Sequence, residues 1–293
     1  AMRARLPEDL VGHALDFVRF RYQLAVAPED AAVALWGGGG PPRSLRSAVA
    51  NVTSVRFFPM GDRVLTWGRN GVVVIWRAAT GEALVELRHA GPVFCARVFP
   101  DGDRVATCTL DGELRIWDAE RGELLRTFSE GSARDAEVFP SGDRVLTWGL
   151  DWATVWDVAS GEAVCRLRGH YLPIIDAATL LPDGDSVVTV GFDSRIMIWN
   201  VSSCIVTQSI EHDRKVFITS LAVLKGGDVL AIVTSLGNTS IWSTTSGKRL
   251  HSLTGSMLDS LEYSLGVLAF PRGDDRLATH NLREVVIWNA TSG

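Results

Sequence analysis

Residues 98–118 read VFPDGDRVATCTLDGELRIWD, and residues 57–77 carry a closely similar stretch, FFPMGDRVLTWGRNGVVVIWR. The similarity extends along the whole chain, because an apolar run ends in a tryptophan at intervals of 39–46 residues. These tryptophans are Trp36, Trp76, Trp117, Trp156, Trp199, Trp242 and Trp288. Self-similarity at a period of this size is typical of a repeat architecture. The chain is therefore interpreted as seven copies of one structural unit.

Each copy is built from short runs rich in Val, Ile and Leu. In residues 63–88, the runs RVLTWG, VVVIW and ALVEL are separated by RNG and by AATG. Such lengths and such punctuation predict strands joined by tight turns, and no longer window shows helical periodicity. Three or four antiparallel strands cannot bury both of their faces alone, whereas copies packed face to face around an axis can. The pattern predicts an all-β chain folded as a β-propeller.

Several motifs resemble those of the WD-repeat propeller family. The matching pieces are the FP-x-GD turns, the Gly-His pairs at 12–13 and 169–170, and the Trp-Asp pairs at 117–118 and 156–157. In the other copies the residue after the tryptophan is Gly, Arg, Asn or Ser. The resemblance covers nearly the whole chain. It implies a seven-bladed propeller of four-stranded antiparallel blades.

The two ends of the chain predict how such a ring closes. Residues 23–36 align without a gap with residues 63–76, so Trp36 is a true repeat position. The last copy stops at WNATSG, before its fourth strand, while MRARL at the N-terminus leads into Gly-His as AVCRL does at residues 163–167. The N-terminal strand is therefore expected to pair into the last blade. On this interpretation residues 1–293 form a single closed domain.

The bulk composition restricts the classes of partner. The net charge is −5 and the pI is about 5.7, which argues against electrostatic attraction to nucleic acid or to an anionic membrane. No run of 18 apolar residues is present, so the sequence predicts no membrane span. No CxxC pair or other metal-ligand spacing is present either, and the sequence predicts no cofactor. Cys95, Cys108, Cys165 and Cys204 are predicted to be free buried thiols, as in a monomeric cytoplasmic domain.

Two sets of residues have the composition of a catalytic triad. They are His89, Thr107 and Asp111 in the third copy, and His170, Thr189 and Asp193 in the fifth. The resemblance instead implies that each set forms a structural hydrogen-bond chain that ends on the copy's own tryptophan, Trp117 or Trp199. Other copies lack one or more members, which a stabilising network tolerates and a catalytic site does not. The chain is therefore predicted not to be an enzyme.

The resemblance also implies where partners bind. Propellers of this family present an upper face made of the residues that begin each inner strand and of those just before the turn aspartate. The first set maps to Asp16, Asn51, Thr53, Phe94, Arg134, Asp176, Ile218 and Tyr263. The second set maps to Glu29, Arg69, Leu110, Leu150 and Phe192. The predicted partner-binding residues are Arg69, Phe94, Leu110, Arg134, Leu150, Trp152, Asp176, Phe192 and Tyr263. Each of them could instead line a central channel.

Trp152 stands where this family commonly has glycine after the turn aspartate. With Leu150 and Phe192 it is predicted to form an exposed apolar patch flanked by Arg134 and Asp176, since exposed apolar surface rimmed by charge marks binding sites. The alternative is that Trp152 folds back over its own blade.

The predicted function is a non-catalytic scaffold that binds a protein or peptide, as one domain of a larger protein. Two alternatives stay open at this point. One is ligand binding or catalysis at the channel mouth, for which Asp16, Glu29, Arg134 and Asp176 are candidates. The other is a purely architectural role in holding subunits together by other surfaces.

Overall fold

A computed structural model gives the architecture of most of the chain. It describes residues 2–5, 22–27, 32–37, 40–45, 52–129, 133–172, 174–212, 218–234, 238–253, 266–269, 276–280 and 284–289. Everything said below about structure concerns these residues.

The strands of the first four repeats follow the order of the chain. The first strand is β1 (Met2–Arg5). Sheet 1 contains β2 (Tyr22–Ala27), β3 (Ala32–Gly37) and β4 (Gly40–Leu45). Sheet 2 contains β5 (Val52–Phe57), β6 (Arg63–Gly68), β7 (Val72–Arg77) and β8 (Ala83–Arg88). Sheet 3 contains β9 (Val93–Val98), β10 (Arg104–Thr109), β11 (Leu114–Asp118) and β12 (Leu124–Phe128). Sheet 4 contains β13 (Ala133–Val138), β14 (Arg144–Gly149), β15 (Ala153–Asp157) and β16 (Ala163–Leu167).

The remaining strands repeat this arrangement. Sheet 5 contains β17 (Ile175–Leu180), β18 (Ser186–Gly191), β19 (Arg195–Asn200) and β20 (Ile205–Glu211). Sheet 6 contains β21 (Ile218–Leu224), β22 (Val229–Thr234), β23 (Thr239–Ser243) and β24 (Arg249–Leu253). Sheet 7 contains β25 (Gly266–Ala269), β26 (Arg276–His280) and β27 (Glu284–Asn289), with β1 as its fourth strand. One 3-10 turn, Lys225–Gly227, lies between β21 and β22.

These sheets confirm the predicted fold class at the level of all-β architecture. Four-stranded antiparallel sheets recur along the chain, in agreement with a β-propeller. In sheet 7, β1 runs antiparallel to β27, with Met2 opposite Ile287 and Arg5 opposite Glu284. The N-terminal strand therefore pairs with the last repeat. Among the described residues, no helix has the length and hydropathy needed to cross a bilayer.

Burial explains why the sequence of each repeat looks as it does. The second strand of sheets 2, 3, 4 and 5 is buried on both faces except at its first residue, which accounts for continuous runs such as RVLTWG. The fourth strand buries chiefly its last apolar residue, such as Leu87 in β8 and Phe128 in β12. Burial therefore falls from the second strand to the fourth.

The chain divides into two compact units. One contains Gly12–Leu150 and Trp156–Ala163, and the other contains Ala1–Val11, Asp151–Val155 and Val164–Gly293. In the first unit, Leu65 and Ile75 of sheet 2 share a core with Val105 and Trp117 of sheet 3. The prediction of one domain over residues 1–293 is not tested by this division and stays a prediction.

The second unit has cores of the same kind. Val190 and Ile198 of sheet 5 share a core with Ile232 and Trp242 of sheet 6, and Ala231 of sheet 6 packs in a cluster with residues of sheet 7. In both units consecutive sheets therefore bury apolar surface against one another, as repeats that cannot bury their faces alone must do.

Arginine side chains tie consecutive sheets together in the first unit. The guanidinium carbon of Arg63 lies 4.2 Å from the ring centroid of Phe58, and Arg104 lies 4.3 Å from that of Phe99. Arg63 also donates a hydrogen bond of 2.7 Å to the carbonyl oxygen of Gly102, in the following repeat. Arg104 donates in the same way to the carbonyl of Gly142, at 3.0 Å. We call Arg63 and Arg104 the arginine staples.

The cysteines differ from the prediction. Cys95 and Cys108 are free and buried, as predicted. For Cys165 and Cys204 the prediction of free thiols is wrong, because these two residues form a disulfide. The prediction of burial is also wrong for Cys204, which is exposed in the turn before β20.

Candidate interaction site

The triad-like set of the fifth repeat lies inside its sheet. The Thr189 hydroxyl accepts a hydrogen bond of 2.8 Å from Trp199 Nε1 and lies 2.8 Å from His170 Nε2, to which it donates. His170 Nδ1 lies 2.8 Å from Asp193 Oδ1 and donates to it. His170, Thr189 and Trp199 are each at most 2% exposed, and Asp193 is 6% exposed. The structure therefore brings all four predicted members into one buried chain of hydrogen bonds.

Asp193 also receives hydrogen bonds from the backbone. The amide of Arg195 donates to Oδ1 and the amide of Tyr171 donates to Oδ2, both at 3.1 Å. Burial is the main factor that lowers the pKa of His170, so the imidazole is neutral at pH 7. A neutral ring has one donor and one acceptor nitrogen, which matches the Asp193 and Thr189 contacts.

The third repeat forms a shorter chain. Trp117 Nε1 donates to Thr107 Oγ1 at 2.9 Å, and His89 Nε2 lies 2.8 Å from the same hydroxyl. The prediction that Asp111 joins this chain is wrong, because His89 Nδ1 instead lies 3.3 Å from the carbonyl oxygen of Gly71. Asp111 accepts hydrogen bonds from Thr109 and Arg115.

The cause of this difference lies two residues before the tryptophan. The third repeat has Arg115 at this position, and its guanidinium contacts the Asp111 carboxylate at 2.8 Å. The fifth repeat has Met197, which carries no charge, and its aspartate is left to the histidine. The composition of the set alone therefore did not determine its hydrogen bonds.

The contact between a tryptophan and a hydroxyl is general. Trp76 donates to Thr66, Trp156 to Thr147 and Trp288 to Thr279, each at 2.8 Å. The sixth repeat has Ile232 at the threonine position, and there Trp242 donates to Ser240 on its own strand at 2.8 Å. Each of these buried indole N–H groups has an acceptor, as burial requires.

The inner strands share a feature that the sequence did not reveal. In sheet 3, Cys108 is opposite Cys95 and Thr109 is opposite Val93, so Phe94 is an extra residue without a partner across the ladder. The same β-bulge recurs in sheets 2, 4, 5 and 6. Its extra residues are Thr53, Arg134, Asp176 and Thr219. A bulge bends the strand and re-aims the side chain of the extra residue.

Five members of the first predicted set lie among the described residues, and four of these are bulge residues: Thr53, Phe94, Arg134 and Asp176. Phe94 is 37% exposed, and Arg134 and Asp176 are also exposed. Ile218 is a wrong member of this set, because it is buried and the bulge of β21 lies at the next residue. Asp16, Asn51 and Tyr263 lie outside the described residues.

The second predicted set lies in the turn after the second strand. Leu110 is 62% exposed, Leu150 42% and Phe192 41%, and Arg69 is exposed as well. Two of these residues are held by equivalent hydrogen bonds. The Leu110 amide donates to the carbonyl of Pro92 at 3.1 Å, and the Phe192 amide donates to that of Ile174 at 3.0 Å. Glu29 lies outside the described residues.

Trp152 is half-buried, and the guanidinium carbon of Arg168 lies 5.9 Å from its ring centroid. The Trp152 side chain is thus less accessible than those of Leu110, Leu150 and Phe192.

Asp176 is in a different environment from these apolar residues. Partial burial is the main factor that raises the pKa of its carboxyl to about 6, and the negative charge of nearby Asp193 adds to it. This carboxyl changes charge close to neutral pH.

The described residues offer no other clear site. None of them form a group of three or more His, Cys, Asp or Glu side chains able to hold a metal ion. A small cleft is lined by Tyr171, Asp193, Ser194, Arg195, Glu211 and His212. Its arginine is already paired with Glu211 at 3.0 Å.

Comparison with known families identifies two of the repeats. The family model described as WD domain, G-beta repeat (WD40) matches residues 81–118 and 161–200. Each matched segment runs from the end of one repeat through the tryptophan of the next. Each segment contains one of the His–Thr–Trp chains described above.

Proposed function

Because this chain carries WD40 repeats, we propose that it is a non-catalytic scaffold that binds a protein or peptide through the bulge and turn residues of its repeats. WD40 repeats generally mediate protein–protein interactions. The observation that supports this role most directly is the β-bulge that recurs in the inner strands of sheets 2–6. One regular backbone device re-aims one side chain per repeat, while the side chains themselves vary from aromatic to cationic and anionic.

The proposed binding residues combine apolar anchors with charges. Phe94 and Leu110 belong to one repeat, and Leu150 lies in the turn of the next one. Arg134 and Asp176 provide opposite charges at equivalent bulges. Exposed aromatic and aliphatic side chains next to arginine have the composition of interface anchors. We place these residues on one face of a closed seven-bladed ring, which the pairing of β1 with β27 supports.

Burial of the triad-like sets supports a non-catalytic role. The Thr189 hydroxyl is fully buried and already engages Trp199 and His170. A nucleophile must be within reach of its substrate, which this hydroxyl is not. We further propose that the domain is monomeric and cytoplasmic, with a protein partner and with neither nucleic acid nor membrane as a ligand. The net charge of −5 supports the last point.

The outer strands favour a second candidate function, that of an architectural domain. Leu84, Leu125 and Leu250 are the extra residues of bulges in β8, β12 and β24. All three are exposed, at 36%, 52% and 47%. These side chains belong to the fourth strands, so a partner that used them would bind the sides of the repeats.

One comparison of variants distinguishes the two functions. Phe94→Ala with Leu110→Ala removes two proposed anchors, and Leu84→Ala with Leu125→Ala removes two outer-strand residues of similar exposure. The full-length domain and both double variants are used in proximity labelling, and their melting temperatures are compared. We expect the labelling of partner proteins by the first variant to fall by at least about tenfold. The reason is that central anchor residues contribute about 2 kcal/mol or more to the free energy of binding.

The second double variant should retain those partners. The opposite result, loss only with the outer-strand variant, supports the architectural role. Retention of all partners by a folded Phe94→Ala, Leu110→Ala variant contradicts the proposed binding surface.

A further inference from the structure

The turn before each outer strand fits against the outer strand of the preceding repeat. Gly81, Gly122, Gly161 and Gly247 occupy this turn with φ of +74°, +71°, +82° and +65°. A Cβ atom added to Gly122 would lie 2.8 Å from Val85, and one added to Gly161 would lie 2.5 Å from Arg126. At Gly247 the added atom would meet Gln208. The left-handed backbone favours glycine at all four positions, and at Gly122 the Val85 side chain also leaves little space.

The fifth repeat has no glycine in this turn, and it has a cysteine both in the turn and at the position of the preceding outer strand that the turn faces. Cys204 stands five residues after Trp199, where the fourth repeat has Gly161 five residues after Trp156. It keeps the left-handed conformation of the glycine, with φ of +55°. The residue of the preceding outer strand that it faces is Cys165, at a Cα–Cα distance of 5.7 Å. In the matching places the other repeats have Val85 opposite Gly122 and Arg126 opposite Gly161.

A non-glycine residue is strained in the left-handed region, so Cys204 needs a compensating interaction. The paired cysteine supplies one, because its sulfur is bonded to that of Cys204. We propose that Cys165 and Cys204 form a reversible redox clasp between the outer strand of the fourth repeat and the turn before the outer strand of the fifth repeat. This role is separate from the proposed binding function and uses none of its residues.

Exposure determines the order of the chemical steps. Cys204 is exposed and Cys165 is buried, so a small-molecule disulfide such as oxidised glutathione reaches Cys204 first. The Cys204 thiolate attacks one sulfur of that disulfide, which forms a mixed disulfide and releases one glutathione thiol. The Cys165 thiolate then attacks Cys204 Sγ, forms the intramolecular bond and releases the second glutathione. Two protein thiols are oxidised and one glutathione disulfide is reduced to two thiols, with the two protein protons passing to the glutathione thiolates.

The reduced state is also accommodated. Cys204 Sγ lies 3.5 Å from the carbonyl oxygen of Val201, which can accept a hydrogen bond from the free thiol. The two free cysteines lack an exposed member such as Cys204, because Cys95 and Cys108 are fully or almost fully buried. The hydrogen bond that the Cys108 thiol donates to Cys95, together with burial, raises the pKa of Cys108 well above its usual range. A buried thiol of this kind is unreactive, which leaves the clasp as the redox-accessible pair among the cysteines.

Closing the clasp joins residues that are 39 positions apart and therefore constrains the unfolded chain. The test uses the full chain equilibrated with oxidised or with reduced glutathione. Free thiols are alkylated under native conditions, peptides are mapped by mass spectrometry, and the melting temperature is measured in each state. We expect linked peptides containing Cys165 and Cys204 in the oxidised state only, and a melting temperature higher by roughly 5–10 °C.

Cys204→Gly is the matched variant, because it restores the residue that the second, third, fourth and sixth repeats have in this turn. Its melting temperature should not depend on the glutathione state, and Cys95 and Cys108 should stay unalkylated in both proteins. Three results would overturn the proposal: no linked peptide in the oxidised wild type, a link that persists in excess reduced glutathione, or an equal redox-dependent shift in Cys204→Gly.

Discussion

At the scale of single residues, the buried threonine of each repeat has more effect than its size suggests. Thr189 accepts from an indole and donates to an imidazole, and Thr107 does the same in the third repeat. Removing such a hydroxyl leaves a buried donor and a buried acceptor unpaired, which is more damaging than the loss of a single solvated hydrogen bond.

Thr189→Val tests this arrangement. The substitution preserves shape but leaves Trp199 Nε1 and His170 Nε2 without their partner, so the free energy of unfolding should fall by about 1–3 kcal/mol. Urea denaturation of the wild type and the variant measures the change. Thr127→Val, at an exposed position of β12, is the control and should change stability by less than about 0.5 kcal/mol. Equal stabilities for Thr189→Val and the wild type would contradict the network.

The sequence predicted some of these residue-scale contacts and missed others. It placed Thr, His and Trp in each chain because their types and spacing repeat. It assigned Asp111 wrongly, because the assignment depends on Arg115, a charged side chain on the neighbouring strand that competes for the carboxylate. The Ser240 acceptor was also missed, since it replaces a threonine that would have come from a different strand.

At the scale of elements, the turn before each outer strand combines two separate constraints. At Gly122 the backbone is left-handed and the preceding outer strand is close, whereas Gly184 is left-handed with no atom within 4 Å of an added Cβ. These two glycines therefore separate the effect of conformation from the effect of contact.

Gly184→Ala should destabilise the fold by about 1–2 kcal/mol through the left-handed conformation alone. Gly122→Ala should destabilise it further, because its Cβ would also clash with Val85. The difference between the two unfolding free energies measures how tightly the turn fits. If Gly122→Ala were no less stable than Gly184→Ala, the turn would not be in close contact with the preceding strand.

Strands and tight turns could be predicted because their signals are local in the sequence. The bulges of the inner strands could not, since a bulge is defined by the register between two strands and not by either strand alone. For the same reason the sequence pattern indicates Ile218, whereas the bulge lies at the residue that follows it.

At the scale of the whole molecule, the first and last strands of the chain share sheet 7. If β1 protects the edge of β27, deletion of residues 1–10 should expose that edge and lower the melting temperature by at least about 5 °C. Thermal unfolding followed by circular dichroism measures the effect. Removal of residues 290–293, which follow β27, is the control. An unchanged melting curve after the N-terminal deletion would show that β1 does not contribute to stability.

The repeat period made the architecture predictable, because every copy supplies an independent instance of the same pattern. The binding function is less well determined by sequence, since the exposed residues at equivalent positions differ from copy to copy. Phe94, Arg134 and Asp176 share a backbone position and have no chemistry in common. A repeat pattern identifies where such residues lie, while the partner that they bind depends on which side chains stand together at these positions.

The arginine staples have a consequence for how the protein is synthesised. Each staple points from one repeat to the next, and its acceptor lies 39 or 38 residues further along the chain. Ribosomes extend a chain from its N-terminus at about 5–20 residues per second, so each arginine waits about 2–8 s for its glycine carbonyl. Its stacking partner precedes it by only five residues, as with Phe58 and Arg63, and is available at once. While the third and fourth repeats are synthesised, the growing chain thus carries a repeat whose arginine can already stack and whose acceptor in the next repeat has yet to be translated.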